Sequence, residues 1–247
     1  MIAIFVATLL CAVYVFTRKK RISFLIEGKH DVSDLVADIQ KVQDVPLDRV
    51  GMYRTEKDKN ATWAYNFKKC SIRNILSTSN PYARLQYKTD MINDKHPICD
   101  VVKHHIPSCV RSLDHTLRVC SKNWEFKSHF DCAYNKVLCI LGSKRFLVFD
   151  LYDHPDEVSI VEHTKNMSID DLKTFLDQCG IRYNDHTLRP GDELHIEPMM
   201  YHRVEADESS IILGHSPPLD NMCECMDKFK EIWPKQKKLC VNNRCIE

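Results

Sequence analysis

Two side chains near the middle of the chain have the types and the spacing of metal ligands. His129 and Asp131 are separated by one residue within residues 128–135. In an extended strand, side chains two positions apart point to the same face, so these two would aim at one point while Phe130 faces the other side. One more imidazole from a different strand would complete a facial triad of two histidines and one carboxylate, which holds Fe(II) and leaves coordination positions open.

The third ligand could come from either of two histidines that follow a Pro-Gly-Asp turn. His195 lies within the strand predicted after Pro190-Gly191-Asp192, and His202 lies just beyond that strand. The simplest alternative to a metal site is a solvent-facing polar strand face, since an isolated His-x-Asp pair is common. The residues alone leave open whether this is a metal site and which of the two histidines would be its third ligand.

Several further residues recur with this pair in a fixed order along the chain. The set is His129-x-Asp131, Asn135, Gly142-x-Lys144, Pro190-Gly191-Asp192 and His202. It resembles the JmjC and cupin-like Fe(II)- and 2-oxoglutarate-dependent oxygenases over roughly residues 115–216. The resemblance implies a mainly β fold with flanking helices, a double-stranded β-helix of the jelly-roll type. It also implies an enzyme that hydroxylates or demethylates its substrate, most often a protein.

The same resemblance assigns roles to individual residues. It makes His129, Asp131 and His202 the catalytic metal ligands for Fe(II), with His195 at a position where the family usually has an aromatic residue. It makes 2-oxoglutarate the co-substrate.

Lys144 is the residue that the resemblance gives to the distal carboxylate of 2-oxoglutarate, with Tyr134 and Asn135 adding hydrogen bonds. A lysine at a hairpin edge is ordinarily solvated. On the inward face of a strand, beside Phe146 and Val148, a buried cation is costly unless an anion meets it. The co-substrate would be that anion.

Three departures from the family pattern favour an alternative. Residues 126–128 read Phe-Lys-Ser where the family commonly offers a hydroxyl to the co-substrate, Tyr201 replaces a frequent Trp, and an asparagine is replaced in the region of Gly214-His215. The alternative is a catalytically silent cupin-like binding module tethered to a membrane.

The membrane tether is predicted from the first residues. Residues 2–16 form an almost unbroken apolar run, and residues 18–21 are basic. Because the charge follows the run, the pattern favours an uncleaved anchor over a signal peptide. The positive-inside rule then places the body on the cytoplasmic or nucleoplasmic side. The other interpretation is an apolar first element of the domain.

The rest of the chain divides by pattern into four parts. Residues 1–21 are the anchor with its basic flank, 22–114 a mixed helical and irregular lead-in, 115–218 the β core, and 219–247 a helix and a cysteine-rich tail. Helices are predicted over 31–42, capped by Asp31, over 99–106, over 168–179, capped by Ser168, and over 221–233. Strands are predicted at 117–120, 126–131, 136–141, 144–151, 193–197, 202–206 and 210–215.

The chain contains 12 cysteines, which pose a separate question. Cys132 and Cys139 lie in apolar strand patterns, which predicts small buried thiols. Cys223, Cys225, Cys240 and Cys245 cluster late in the chain, where disulfides, free thiols or a structural zinc site are all open. A structural membrane protein that works through this tail is a third functional class.

Charge argues against one class of partner. Lys and Arg number 35 against 34 Asp and Glu, a formal net charge of +1, so no global field favours nucleic acid. The basic residues at 18–21 are explained by the membrane flank. The sequence leaves the identity of the substrate and the oligomeric state open.

Overall fold

The structure is a computed structural model, and it describes residues 23–47, 51–53, 70–79, 83–88, 96–105, 115–151, 154–215, 239–241 and 244–246. The predicted anchor at 2–16 and the predicted helix at 221–233 lie outside these ranges. Among the helices inside them, none combines the length and the apolar character needed to cross a bilayer.

Strands make up most of the described chain. They are β1 (Ser23–Ile26), β2 (Gly51–Tyr53), β3 (Ala83–Lys88), β4 (His115–Cys120), β5 (Trp124–Phe130), β6 (Asn135–Leu141), β7 (Lys144–Phe149), β8 (Tyr183–Leu188), β9 (Glu193–Ile196), β10 (Tyr201–Ala206), β11 (Ser210–His215), β12 (Leu239–Val241) and β13 (Arg244–Ile246).

Two antiparallel sheets contain the strands of the core. The larger sheet has seven strands in the order β1-β9-β6-β11-β4-β3-β2, and the smaller has four in the order β5-β10-β7-β8. From β4 to β11 the chain alternates between the sheets, except that β7 and β8 are neighbours in the smaller one. This is a jelly-roll-like arrangement, as the sequence predicts in outline.

The space between the two sheets is filled by side chains from both. The buried members of this inner cluster are Cys120, Trp124, Phe126, Val137, Cys139, Phe146, Val148, Leu188, Leu194, Ile196, Met200, Val204, Ala206 and Ile212. Cys139 is a fully buried free thiol, as predicted. Because strand side chains alternate, each strand that contributes here sends its other residues to the outer faces.

Helices cover both outer faces. They are α1 (Ser33–Val42), α2 (Ile72–Ser77), α3 (Pro97–His105), α4 (Glu157–Thr164) and α5 (Ile169–Gln178). The first three pack on the larger sheet, where for example Leu35 and Ile98 share a cluster with Leu117. The last two pack on the smaller sheet, where Leu172 shares a cluster with Phe130. Phe130 therefore faces outward, as predicted.

The predicted helices that fall within the described residues form close to their expected bounds. At α5 the Ser168 hydroxyl accepts a hydrogen bond from the Asp171 backbone N–H at 3.1 Å, which satisfies a donor left open at the helix start. At α1 the predicted cap is wrong: the N-cap residue is Val32, which makes no side-chain capping bond. The Asp31 carboxylate, one residue earlier, instead accepts from the Ser33 N–H at 3.0 Å in the turn that leads into the helix.

The lead-in contains strands that the pattern does not predict. β1 pairs with β9, and β3 pairs with β4, so residues before 115 extend the larger sheet at both edges. Helix α4 and strand β8 are also additional to the predictions. β8 reads YNDHTL, and as an edge strand it buries only Leu188 fully, so its sequence carries little apolar alternation.

The prediction for one cysteine is wrong. Cys132 is half-buried and disulfide-bonded, whereas the sequence suggests a free buried thiol. It lies just beyond the end of β5, where the alternation that suggested burial stops. In the tail, β12 and β13 pair so that Cys240 lies opposite Cys245, while the predicted zinc or disulfide chemistry stays untested.

Candidate metal centre

A β-bulge near the end of β5 shapes the site. His129 pairs with His202 and Phe126 with Val204, so two residues, Lys127 and Ser128, lie opposite one residue of β10. The extra residue shifts the alternation, and both Phe126 and His129 point between the sheets. Regular alternation over 126–131 predicts Lys127 on the same face as His129 and Phe126 on the opposite face, which would hold only for a strand without a bulge. The bulge thus aims His129 inward.

Three predicted ligands converge at this point. The ligand atoms of His129, Asp131 and His202 all lie within 4.8 Å of one another, the one such group of three found among the described residues. Nε2 of His202 is 3.6 Å from Oδ2 of Asp131, and the two imidazole centroids are 4.2 Å apart. His195, the competing third ligand, is not part of this group.

Backbone carbonyls set the tautomer of both imidazoles. Nδ1 of His129 lies 2.9 Å from the Lys127 carbonyl oxygen, and Nδ1 of His202 lies 3.1 Å from the Met200 carbonyl oxygen. A carbonyl can only accept, so each Nδ1 must carry the proton and donate it. Each Nε2 is then left with a lone pair, the form in which histidine binds a metal.

The third ligand is held from the opposite side. The Asn135 side-chain N–H donates to Oδ2 of Asp131 at 2.6 Å, while the Asp131 carbonyl accepts from the Met199 N–H at 2.9 Å. Met199 has a φ of +64°, so the chain turns sharply just before it enters β10. The Met199 bond ties the segment carrying Asp131 to the segment carrying His202.

Electrostatics favour the protonation states that a metal needs. Burial lowers the pKa of His129, and the neighbouring His202 lowers it further. Burial also lowers the pKa of His202. For Asp131, burial by itself raises the pKa, but the charges of His129, His202 and Arg118 and the Asn135 hydrogen bond outweigh it, so the pKa is lowered. Neutral imidazoles beside an ionised carboxylate fit a divalent cation.

Lys144 lies deep between the sheets. It is 2% exposed, and its Nζ is 3.0 Å from the Cys120 sulfur and 4.8 Å from the centroid of the Trp124 ring. Burial lowers the pKa of Lys144, although the Cys120 thiol opposes that effect. It is a lysine on the inward face with Phe146 and Val148, as predicted, and it points away from solvent.

The two remaining predicted residues are in different places. Asn135 contacts Asp131, the carboxylate of the candidate triad. The Tyr134 hydroxyl instead hydrogen-bonds Nδ1 of His195 at 2.8 Å, and the structure does not bring it to the triad. His195 in turn contacts Glu193, so Tyr134 joins a polar cluster at the edge where β1 meets β9.

Two arginines near the site were missed by the sequence reasoning. Arg84 on β3 and Arg118 on β4 both influence the pKa values of the site, Arg84 lowering that of His129 and Arg118 lowering that of Asp131. Arg118 lies two residues before the inward-facing Cys120 within the strand predicted at 117–120, so strand parity was the signal that could have placed it on the inner face. Arg84 gave no signal, because no strand was predicted around it.

Comparisons with known proteins place the fold only loosely. No family model matches the chain, and no curated protein does either. The solved structures that match include two of the ribosomal oxygenase YcfD from Escherichia coli, one of them in complex with cobalt and succinic acid. Identity is 13% and the TM-score 0.44 in both, over 90% and 91% of this chain. The chain spans 54% and 55% of the length of those chains. At this level the functional argument rests on the geometry of the site.

Proposed function

We propose that this protein is an Fe(II)- and 2-oxoglutarate-dependent oxygenase that acts on a protein. The observation that carries the proposal is the convergence of His129, Asp131 and His202, with both imidazoles fixed in the metal-binding tautomer. Two histidines and one carboxylate on one side of an ion are the ligand set of non-haem Fe(II) oxygenases. The protein as substrate comes from the sequence resemblance.

Each residue has a defined task in this proposal. His129, Asp131 and His202 would hold the metal, and Asn135 orients the Asp131 carboxylate for it. Lys144 would bind the far carboxylate of 2-oxoglutarate from within the dry interior, where a charge-assisted contact is strong. When bound, iron and the keto acid supply the activation of dioxygen, and the protein supplies orientation and exclusion of water.

The test begins with full-length protein under anaerobic conditions. Fe(II) and 2-oxoglutarate added together should give a weak visible charge-transfer band, and admission of air should yield succinate. Incubation of the protein with a cell extract freed of small molecules should then yield polypeptides of that extract whose mass is 16 Da higher than before. Asp131→Ala should abolish all three signals, whereas Asp207→Ala, at an exposed bend, should retain them. Equal succinate formation by wild type and Asp131→Ala would refute the oxygenase proposal.

A second candidate function is a binding module that holds the same metal and anion without turnover. The observation in its favour is Phe126, which the bulge directs inward against the edge of the His129 ring, with centroids 4.5 Å apart. It places an apolar ring directly beside one of the candidate metal ligands. This candidate predicts the anaerobic band without succinate.

The membrane anchor at 2–16 and a body on the cytoplasmic or nucleoplasmic side stay predictions.

A further inference from the structure

Three basic side chains enter the space between the sheets beside the triad. Arg84 pairs across the strands with Cys120, whose side chain belongs to the inner cluster, so Arg84 points inward as well. Arg118 lies two positions before Cys120 on the same face of β4. Lys144 enters from the opposite sheet and meets the Cys120 sulfur. The three cations therefore surround one end of the interior.

Aromatic rings connect these cations to the metal centre. The Arg84 guanidinium lies 4.9 Å from the Trp124 ring centroid and 5.2 Å from that of Phe126. Lys144 Nζ lies 4.8 Å from the same Trp124 ring. Phe126 then contacts His129 edge-on. Such contacts with ring faces stabilise a desolvated cation, but they do not neutralise its charge.

Arg118 occupies space that only glycine leaves open. A Cβ atom built at Gly214, on the neighbouring strand β11, would overlap Nη1 of Arg118. Gly214 lies in the region where the sequence lacks the asparagine that the resemblance leads one to expect. Arg118 is half-buried, so the fold shields its side chain without excluding solvent from it.

The groups described at this end of the interior are three cations, Arg84, Arg118 and Lys144, and one carboxylate, Asp131. Asp131 is the carboxylate whose charge acts on Arg118, and Lys144 faces a thiol and an aromatic ring. A divalent metal at the triad would add further positive charge and engage Asp131 itself. Buried cations are stable when an anion meets them, and guanidinium matches a carboxylate in shape and bidentate hydrogen bonding.

We propose that Arg118 is a second anion anchor, and that together with Lys144 it selects a dicarboxylate over a monocarboxylate. Arg84 adds to the positive field beside Trp124. The inference rests on the proposed function only in naming 2-oxoglutarate as the natural dicarboxylate. The anchors belong to the protein itself, so they bind a dianion whether or not a metal is present.

The experiment uses metal-free, full-length protein and isothermal titration with succinate, and with butyrate as the probe of equal length and single charge. Wild type should bind succinate and show much weaker affinity for butyrate. Arg118→Gln should weaken succinate binding about tenfold to 100-fold, the usual effect of one charge-assisted contact. Arg118→Lys should restore part of it.

Gly214→Ala is the more discriminating variant, because it displaces the guanidinium without removing any charge. It should weaken succinate binding to a similar extent, with a circular dichroism spectrum like that of wild type. Arg182→Gln, which removes the same charge from an exposed position, is the control and should bind like wild type. Unchanged succinate affinity in both Arg118→Gln and Gly214→Ala would overturn the inference, as would absence of binding by wild type.

Failure of this inference is separable from failure of the proposed function. Succinate binding that depends on Arg118, with no turnover of 2-oxoglutarate in the iron-loaded protein, would sustain the second anchor and refute the oxygenase. Turnover with the same KM for 2-oxoglutarate in wild type and Gly214→Ala would support the oxygenase and refute the second anchor.

Discussion

Nε2 of His202 lies 3.6 Å from Oδ2 of Asp131. The Met200 carbonyl holds the His202 ring, and the Asn135 side chain holds the Asp131 carboxylate. Lone pairs that face one another across such a gap repel, so the site is set for a cation before the cation arrives. Binding to the folded state alone then stabilises the fold.

Metal should therefore raise the melting temperature. At a Co(II) or anaerobic Fe(II) concentration of about 100 times Kd, stabilisation is about 2.7 kcal/mol, or about 5–10 °C for a chain of this size. His202→Ala should lose most of that shift, and His163→Ala, on an exposed helix position, should keep it. Differential scanning fluorimetry with and without metal measures both. Equal shifts in the two variants would place the metal elsewhere.

The Asn135 hydrogen bond should matter for metal affinity rather than for folding. Partners that orient a ligand commonly contribute 10–100-fold to affinity, so Asn135→Ala should weaken Co(II) binding by about that factor. The matched control is Asn184→Ala, since Asn184 donates to Ser23 at 3.0 Å, outside the metal centre. Competition with a chromophoric chelator gives both affinities. An equal loss of Co(II) affinity in Asn184→Ala would show that the effect does not depend on the hydrogen bond to Asp131.

The shared direction of His129 and Asp131 could be predicted from the sequence because their spacing follows strand periodicity. His129 and Asp131 do share a face, and Lys144 is on the inner face of β7. The bulge could not be predicted, since one extra residue in β5 leaves no local signal and is specified by pairing with β10. Alternation therefore predicts the wrong side for Phe126, which lies before the bulge, and the right side for His129, which lies after it.

Residues that act through distant pairing were also missed. Arg84 faces the interior only because β3 adds to the edge of the larger sheet beside β4, a long-range event. Tyr134 bonds His195 because β6 and β9 are neighbours. Propensity and alternation describe one strand at a time, so they carry no information about which strands meet.

Glu193 should make stability dependent on acid. Burial by itself would raise the pKa of Glu193, but hydrogen bonds from Lys29, His30 and His195 lower it to about 2. A carboxyl whose pKa is depressed in the folded state contributes fully above its unfolded pKa of about 4.5, and the contribution is lost as the pH falls toward 2. The contribution is about 2–3 kcal/mol at most.

Urea unfolding at pH 6 and pH 3 should therefore separate wild type from Glu193→Gln. Wild type should lose about 2 kcal/mol more than the variant between the two pH values. Glu162→Gln, at an exposed helix position, should lose as much as wild type. Parallel losses in wild type and Glu193→Gln would mean that the cluster does not tie β1 to β9.

Gly180 and Gly142 both have a positive φ, but replacing them with alanine should lower the free energy of unfolding by different amounts. Gly180 has a φ of +67° and nothing within 4 Å of an added Cβ, so Gly180→Ala should cost only the left-handed backbone energy, about 1 kcal/mol. Gly142 has a φ of +73°, and its Cβ would overlap the Ser209 carbonyl oxygen. Gly142→Ala should cost at least about 3 kcal/mol, because backbone must move in the β6–β7 hairpin. Equal costs by urea unfolding would contradict the close approach.

Lys144 should show opposite effects on stability and on binding. The amine is buried, and its nearest described contacts are a thiol and a ring, so the fold bears the cost of desolvating it. Lys144→Met keeps most of the volume and removes the charge, and such replacements of buried charges commonly stabilise by about 1–3 kcal/mol. The same variant should lose succinate binding.

The pH dependence gives the sign of that stability change. Burial lowers the pKa of Lys144 below its usual 10.5, so the charged form is the destabilised one in the folded state. The cost is fully present below the folded pKa and vanishes as the pH rises through 10.5. The advantage of Lys144→Met in unfolding free energy should therefore shrink as the pH rises toward 10.5. An advantage that grows with pH, or a variant less stable than wild type at pH 7, would show that other groups of the protein already compensate the charged amine.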